Sequence, residues 1–425
     1  MDQRMAVLPD RPDPTRPVPR RAVQSPRTLG SALARFSAAV AVGMLGAGVP
    51  TQAAAEDAER LTTVAFGAAY TGETWHVLEG GVARGSAYVD NLDLQLEIDG
   101  ERLFGVPNLT LFAYGLYNNG REFAGPYAGA AQGVSNIEAV RAWRLYEAWA
   151  DWGIGPGTLR VGLYNLNSEF DVNETGGLFL HPAHGIGTDF AQSGVQGPSV
   201  FPVTSLAARY RVEAGEWTWA VAALDGVPGD PDDPTRTTIR VGDGDGALVV
   251  AEAARAFGES GRALIGAWHY SAKFDDVLAV DADGEPVPRR AGTGAYALVE
   301  GALGSPAWRG FVRLGWADPR VHAFEHYLGA GVVRTAPWRA RPDDSLGIAI
   351  ATARNGSRFR TAQALAGAPV EGAEATIEFA YRWVLGEHLY LQPDVQYVRN
   401  PSTDPALEDA WVAGLRFNVA WGWQR

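Results

Sequence analysis

Two histidines three residues apart, His181 and His184, are the nearest thing in this chain to half of a metal site, but no third ligand can be identified beside them. The acidic segment 226–246, with Asp230, Asp232, Asp233, Asp243 and Asp245, could offer oxygens to Ca²⁺. It lacks the EF-hand spacing and the closing Glu, and reads as a solvated loop. With no cysteine in 425 residues, disulfides, thiolate metal sites and cysteine nucleophiles are excluded. No Gly-x-Ser-x-Gly elbow occurs, and the single lysine, Lys273, follows no glycine-rich phosphate loop. A formal charge of −13 argues against a nucleic-acid binder, which needs a basic stripe, and no such stripe occurs. What remains is a population of arginines, carboxylates and aromatic rings spread along the chain. Paired carboxylates abound, but sequence alone does not place two at glycosidase separation, and neither a cofactor nor a metal is expected.

The elements that carry these groups have period two. In Glu374–Trp383, one face holds Ala375, Ile377, Phe379, Tyr381 and Trp383, the other Glu374, Thr376, Glu378 and Arg382. The same division recurs in Leu92, Leu94, Leu96 and Ile98 against Asp93, Gln95 and Glu97, and again in 411–421. Sixteen such segments are predicted near 62–70, 89–99, 108–118, 142–152, 158–166, 203–213, 216–225, 247–257, 262–272, 293–302, 308–317, 325–335, 344–354, 373–384, 387–399 and 409–421. In 325–335 the run Gly329-Ala330-Gly331 blurs the alternation.

Short connections such as 153–157, 214–215 and 258–261 mostly alternate with long ones at 71–88, 119–141, 167–202, 226–246 and 273–292. That asymmetry belongs to outer-membrane barrels, with short periplasmic turns and long extracellular loops. A tilted strand of about ten residues spans the apolar band, and closing the sheet pairs every backbone N–H and C=O. The predicted fold is therefore all-β: a 16-stranded antiparallel transmembrane β-barrel occupying residues 56–425. No helical span is predicted, because charges, Gly or Pro interrupt every apolar run.

Residues 1–55 read as a signal peptide with an extended n-region: an Arg/Pro-rich lead, the apolar stretch 36–49, and Ala53-Ala54-Ala55 before Glu56. Removing the +4 carried by residues 1–55 takes the exported product from −13 to −17.

An arginine on the lipid side at mid-depth costs about 2–4 kcal/mol, so charges confined to one alternation set must face the lumen. The pore-lining candidates on the wall are Arg160, Arg209, Arg211, Arg313, Arg382 and Arg416, with Glu147, Glu300 and Glu378 to balance them; lumen Arg and Glu can also pair across the barrel to hold it round. Trp149, Tyr164 and Tyr296 fall on the lumen parity and could stack on a solute. Trp217, Trp219, Trp383, Trp411 and Trp421 fall on the lipid parity, where they would anchor at the interfaces. Segment 167–202 holds Phe170, Leu178, Phe179, Leu180 and Phe190, too apolar to extend into solvent, and is expected to fold back and narrow the barrel. Within it Asp171, Asn173, Glu174, His181 and Asp189 either line the passage or tie the loop to the wall.

The stretch Gly162–Thr175 (GLYNLNSEFDVNET), with Leu178–Gly187 (LFLHPAHGIG), resembles the hallmark of the carbohydrate-selective porins of the OprB type. Asp225–Pro234, Gly310–Pro319, Arg341–Gly347 and Leu391–Val398 follow in the family's order. The resemblance implies a bacterial outer-membrane channel, not an enzyme, passing monosaccharides such as glucose by passive diffusion. Its expected partners are small sugars, outer-membrane lipid and the barrel-assembly machinery, with a monomer or a trimer left open. The rival readings are a non-selective general porin, a barrel-based hydrolase, for which no aligned nucleophile and base are found, and an adhesion barrel with a plugged lumen.

Overall fold

In the computed structural model the described residues are 63–424, apart from 241, 243, 259 and 285; the signal-peptide expectation for 1–55 lies outside them, as does Asp243 of the acidic segment. The strands are β1 (Val64–Gly81), β2 (Ser86–Asp99), β3 (Leu109–Asn118), β4 (Ala142–Ile154), β5 (Gly157–Tyr164), β6 (Ser205–Ala214), β7 (Trp217–Asp225), β8 (Ala247–Phe257) and β9 (Gly261–Tyr270). There follow β10 (Lys273–Val280), β11 (Pro286–Arg290), β12 (Thr293–Ala302), β13 (Trp308–Ala317), β14 (Phe324–Thr335), β15 (Ser345–Asn355), β16 (Ala373–Val384), β17 (Leu389–Arg399) and β18 (Glu408–Gln424). Sixteen of them form one closed antiparallel barrel, each paired with its neighbours and β1 closing on β18 from Ala65↔Gln424 to Gly81↔Glu408. Closure leaves no free edge, the condition for a sheet that crosses lipid.

The alternation sorts as the sequence requires. Phe379, Ile348, Leu314 and Ile265 project outward and exposed, whereas Glu374, Glu378, Arg313 and Arg416 are buried inside. Outward tryptophans form two belts: Trp143, Trp316 and Trp411 at the end bearing the long loops, and Trp217, Trp219, Trp308, Trp383 and Trp421 at the end bearing the short turns. One irregularity reverses a parity. Between Tyr114↔Glu147 and Gly115↔Leu145 a β-bulge inserts Tyr146, so that Arg144 and Glu147 both point inward although they stand an odd three positions apart.

Two connections differ from expectation, and a third carries a helix. Segment 71–88 is not a loop: β1 and β2 continue as a long hairpin joined by 82–85, because Thr71 to His76 keep pairing with Asn91 to Ser86. Segment 273–292 contains the hairpin β10–β11, separate from the barrel sheet. Connection 356–372 carries the helix Ser357–Leu365, whose Arg358 reaches Asp276 of β10 at 2.5 Å. Two outer loops are thereby tied together.

Candidate functional site

Two long connections, 119–141 and 165–204, lie within the barrel against its inward faces. The second is held first by apolar pegs. Phe190 stacks on Trp268 with ring centroids 5.1 Å apart, and Phe170 and Ile186 join it in a cluster with Tyr164, Leu248 and Tyr270. Leu178 and Phe179 pack on Phe311, Ala349 and Ala380 of the opposite wall. Connection 119–141 adds Phe123, Val134 and Ile137 against Trp75 and Val412.

Inserting loop backbone into a barrel strands its amides, and inward carboxylates of the wall meet them. Glu252 accepts from Asp171 N at 2.7 Å; Glu300 accepts from Glu174 N at 3.2 Å and Thr175 N at 2.7 Å. Glu378 accepts from Leu180 N at 2.5 Å and His181 N at 3.1 Å. Glu374 takes Ala131 N, Gln132 N and Ser402 N, and Glu147 takes Asn165 N at 3.1 Å. A carboxylate is suited to this role because it accepts at two oxygens, and charge-assisted bonds are roughly twice as strong as neutral ones. The loop carbonyls are met by wall donors: Gln392 Nε2 to Leu178 O at 2.7 Å, Tyr327 OH to Ala183 O at 2.7 Å and Gln396 Nε2 to Val134 O at 3.0 Å.

This arrangement divides the expected lining residues. Arg313 is buried and clamped between Asp171, at 2.7 Å, and Asp189. The clamp exists because Gly187 and Gly315 stand beside it; a Cβ at Gly315 would fall 2.2 Å from both the Arg313 guanidinium and the Asp189 carboxylate. Arg416 is spent on Glu73 and on Asn136 of the first loop, and Arg209 on Glu169, Asp151 and Thr158. These three arginines are buried members of ion networks, so the expectation that they contact solute is corrected. Asn173 bonds His184 O at 3.1 Å and Gly176 N at 2.8 Å, and His181 accepts Ala183 N, so both tie the loop. Burial pushes His181 down to about 3 and holds His184 well below its ordinary value, with His181 beside it contributing; both rings are neutral near pH 7. Among the described residues no cluster of three His, Cys, Asp or Glu is placed to hold a metal.

Trp149 does point inward but offers no open face. The Arg160 guanidinium sits 3.6 Å over its ring and Phe112 stacks on it at 4.8 Å. Tyr164 and Tyr296 are buried, donating to Glu169 at 2.5 Å and Glu252 at 2.8 Å.

Nearer the short-turn end the inward cations are less enclosed. Arg160 pairs with Asp151 at 2.9 Å with its side chain 14% exposed, and Arg211 reaches Glu169 and Glu213 with 33% exposed. Arg262 bonds Glu300 at 2.6 Å and lies 3.6 Å from Glu174, whose own side chain is 52% exposed. Arg382 makes no ion pair among the described residues; it donates to Gln392 at 3.0 Å and Gly177 O at 3.2 Å and lies over the half-buried Tyr390 ring. Glu169, Arg262 and Tyr390 were absent from the sequence reading. Arg262 and Tyr390 were legible from strand parity; Glu169, in a loop, had no such signal.

The sequence matches the model of the carbohydrate-selective porin, OprB family, over residues 83–421. The chain belongs to that family. It is a bacterial outer-membrane sugar channel. It is similar to Porin B of Pseudomonas aeruginosa, 24% identical over 395 residues covering 82% of this chain and 86% of that one. Among solved structures it resembles OprB of Pseudomonas putida at high pH, with a TM-score of 0.77, 19% identity and coverage of 84% and 94% of the two chains. The channel DcaP of Acinetobacter baumannii shares the barrel more distantly, with a TM-score of 0.53, 10% identity and coverage of 84% and 97%. For this porin, the wall-to-loop hydrogen bonds describe how the two inserted connections are held, and Arg160, Arg211 and Arg262 keep part of their side chains exposed.

Proposed function

We propose that this porin admits small neutral sugars of monosaccharide size by passive diffusion, along the bore left beside the two inserted loops. Its lining groups are Arg160, Arg211, Arg262, Arg382 and Glu174, with the Tyr390 ring near Arg382. Guanidinium presents several donors in a fixed plane, matched to adjacent hydroxyls, while Glu174 accepts. The observation that carries this reading is the division of labour within the lumen: wall carboxylates are occupied by loop amides, and these cations retain exposure. Contacts must stay weak enough to release the sugar, so a channel gains nothing from tight capture.

Liposome swelling tests this reading. Glucose should enter faster than an amino acid of equal size and much faster than a disaccharide, and equal rates would return the protein to the class of general porins. Residues 1–55 are proposed to direct export, with insertion by the barrel-assembly machinery and outer-membrane lipid against the apolar exterior. Cross-linking in native membranes distinguishes monomer from trimer, and assays against esters and glycosides test for hydrolysis.

A further inference from the structure

The blurred segment Gly329-Ala330-Gly331 on β14 has a consequence outside the lumen. Ala330 faces outward between Val312 of β13 and Ile350 of β15, and its methyl leaves a hollow beside those larger side chains. An apolar groove of about 630 Å³ results, bordered by Val299, Val312, Ala330, Val332, Ile348 and Ile377, and it reaches Leu303 at the short-turn end. At its other end it meets a second cavity of about 430 Å³, which shares Ile350 and Ile377 and is completed by Ala375, Tyr397, Arg399 and Asp409.

The second cavity lies at the long-loop end, the outer leaflet by the asymmetry of turns and loops. Arg399 is exposed there, paired in register with Ala375 of β16. Arg354 is exposed on the other side of β16, paired with Ala373. The strands carrying the two arginines are about 10 Å apart across β16, and only alanine side chains stand on the outward face between them. Neither arginine makes an ion pair among the described residues. The nearby Asp409 is engaged by the Tyr397 hydroxyl and by Asn400 N at 2.9 Å, and His326, beside Arg354 on β14, faces Glu325 at 3.5 Å.

Two outward cations without carboxylate partners, above a groove that continues into the apolar band, match an amphiphile with anionic groups at its head and acyl chains below. We infer that this face of β14–β18 binds an acylated, phosphorylated glycolipid of the outer leaflet, with phosphoryl groups on Arg354 and Arg399 and a chain along Ala330. Guanidinium suits phosphoryl oxygens through paired N–H donors, and each cation near a charged membrane surface adds measurably to binding. This site does not depend on which sugar the bore passes.

The test is native mass spectrometry of the full mature protein in mild detergent, titrated with a diphosphorylated, acylated glucosamine disaccharide. The Arg354→Gln/Arg399→Gln variant should bind about tenfold more weakly. Ala330→Phe, which fills the groove and keeps both charges, should also bind more weakly, and both should keep wild-type glucose flux. The dephosphorylated lipid should bind the wild type no better than the charge variant does. Equal binding by all three proteins would overturn the assignment, as would phosphatidylglycerol binding as tightly as the glycolipid. A change of oligomeric state in Ala330→Phe would assign the groove to a second copy of the chain instead.

Discussion

The waist of the barrel and its short-turn rim carry the same kinds of charge on the same inward parity, and they use them differently. At the waist Glu252 and Glu378 are buried and satisfied by loop amides, and Arg313 and Arg416 by carboxylates; Glu374 toward the long loops and Glu300 toward the short turns are occupied by loop amides in the same way. At the rim Arg211 and Arg382 keep part of their surface open, and Arg382 has no carboxylate partner among the described residues. An inward charge is thus no sign by itself of contact with a passing solute. At the waist the inserted segment encloses the charges; nearer the short turns it touches Arg211 through Glu169 and Arg382 through Gly177 O and leaves part of each side chain open.

The strongest way to break this division is at the waist. Arg313→Ala leaves Asp171 and Asp189 as unpaired buried carboxylates, a loss of about 3–5 kcal/mol for a severed buried pair. The 165–204 segment should then detach, raising single-channel conductance and proteolytic sensitivity within an intact, heat-modifiable barrel. Glu378→Ala strands two amides at about 1–3 kcal/mol each and should act in the same direction. Wild-type conductance and protease resistance in both would show that the loop is held by its apolar pegs alone.

Acid should loosen the same segment by a smaller amount. His181 is neutral in the folded loop down to about 3, whereas the released loop takes up a proton near 6.5, so its contribution is complete above 6.5 and is lost progressively as pH falls toward 3. Asp171 in the same segment, its carboxyl pushed up to about 6 by burial, acts in the opposite sense below that pH, so the histidines' share is read as a difference: hydrogen exchange in 165–204 should rise less steeply with acid in His181→Gln/His184→Gln than in the wild type. An unchanged slope in the double variant would remove the histidines from the account.

Rim substitutions should have the least effect on stability. Arg211→Ala or Arg382→Ala is expected to leave the melting temperature within a degree or two, as for surface changes of about 0.5 kcal/mol or less. Glucose flux should nonetheless change severalfold. A fall in stability comparable to that of Arg313→Ala would erase the distinction between rim and waist.

The barrel was legible because period two is local: each strand announces its two faces, and lipid forbids misplacing a charge. The site was legible only in part. Parity placed Arg160, Arg211 and Arg382 inward, and equally Arg209, Arg313 and Arg416, because depth and loop occupancy are tertiary facts. Trp149 illustrates the limit: its inward direction follows from the strand, but the cover of its ring by Arg160 and Phe112 does not. The bulge at Tyr146 and the extension of β1 likewise depend on pairing partners far along the chain.

The most direct test is liposome swelling with glucose and a disaccharide, comparing Glu300→Gln/Glu378→Gln with Arg211→Ala/Arg382→Ala. If wall carboxylates hold the loop and rim arginines meet the sugar, the first variant should admit the disaccharide while the second alters glucose entry and still excludes it. Disaccharide entry through the arginine variant, with the glutamate variant unchanged, would contradict the account.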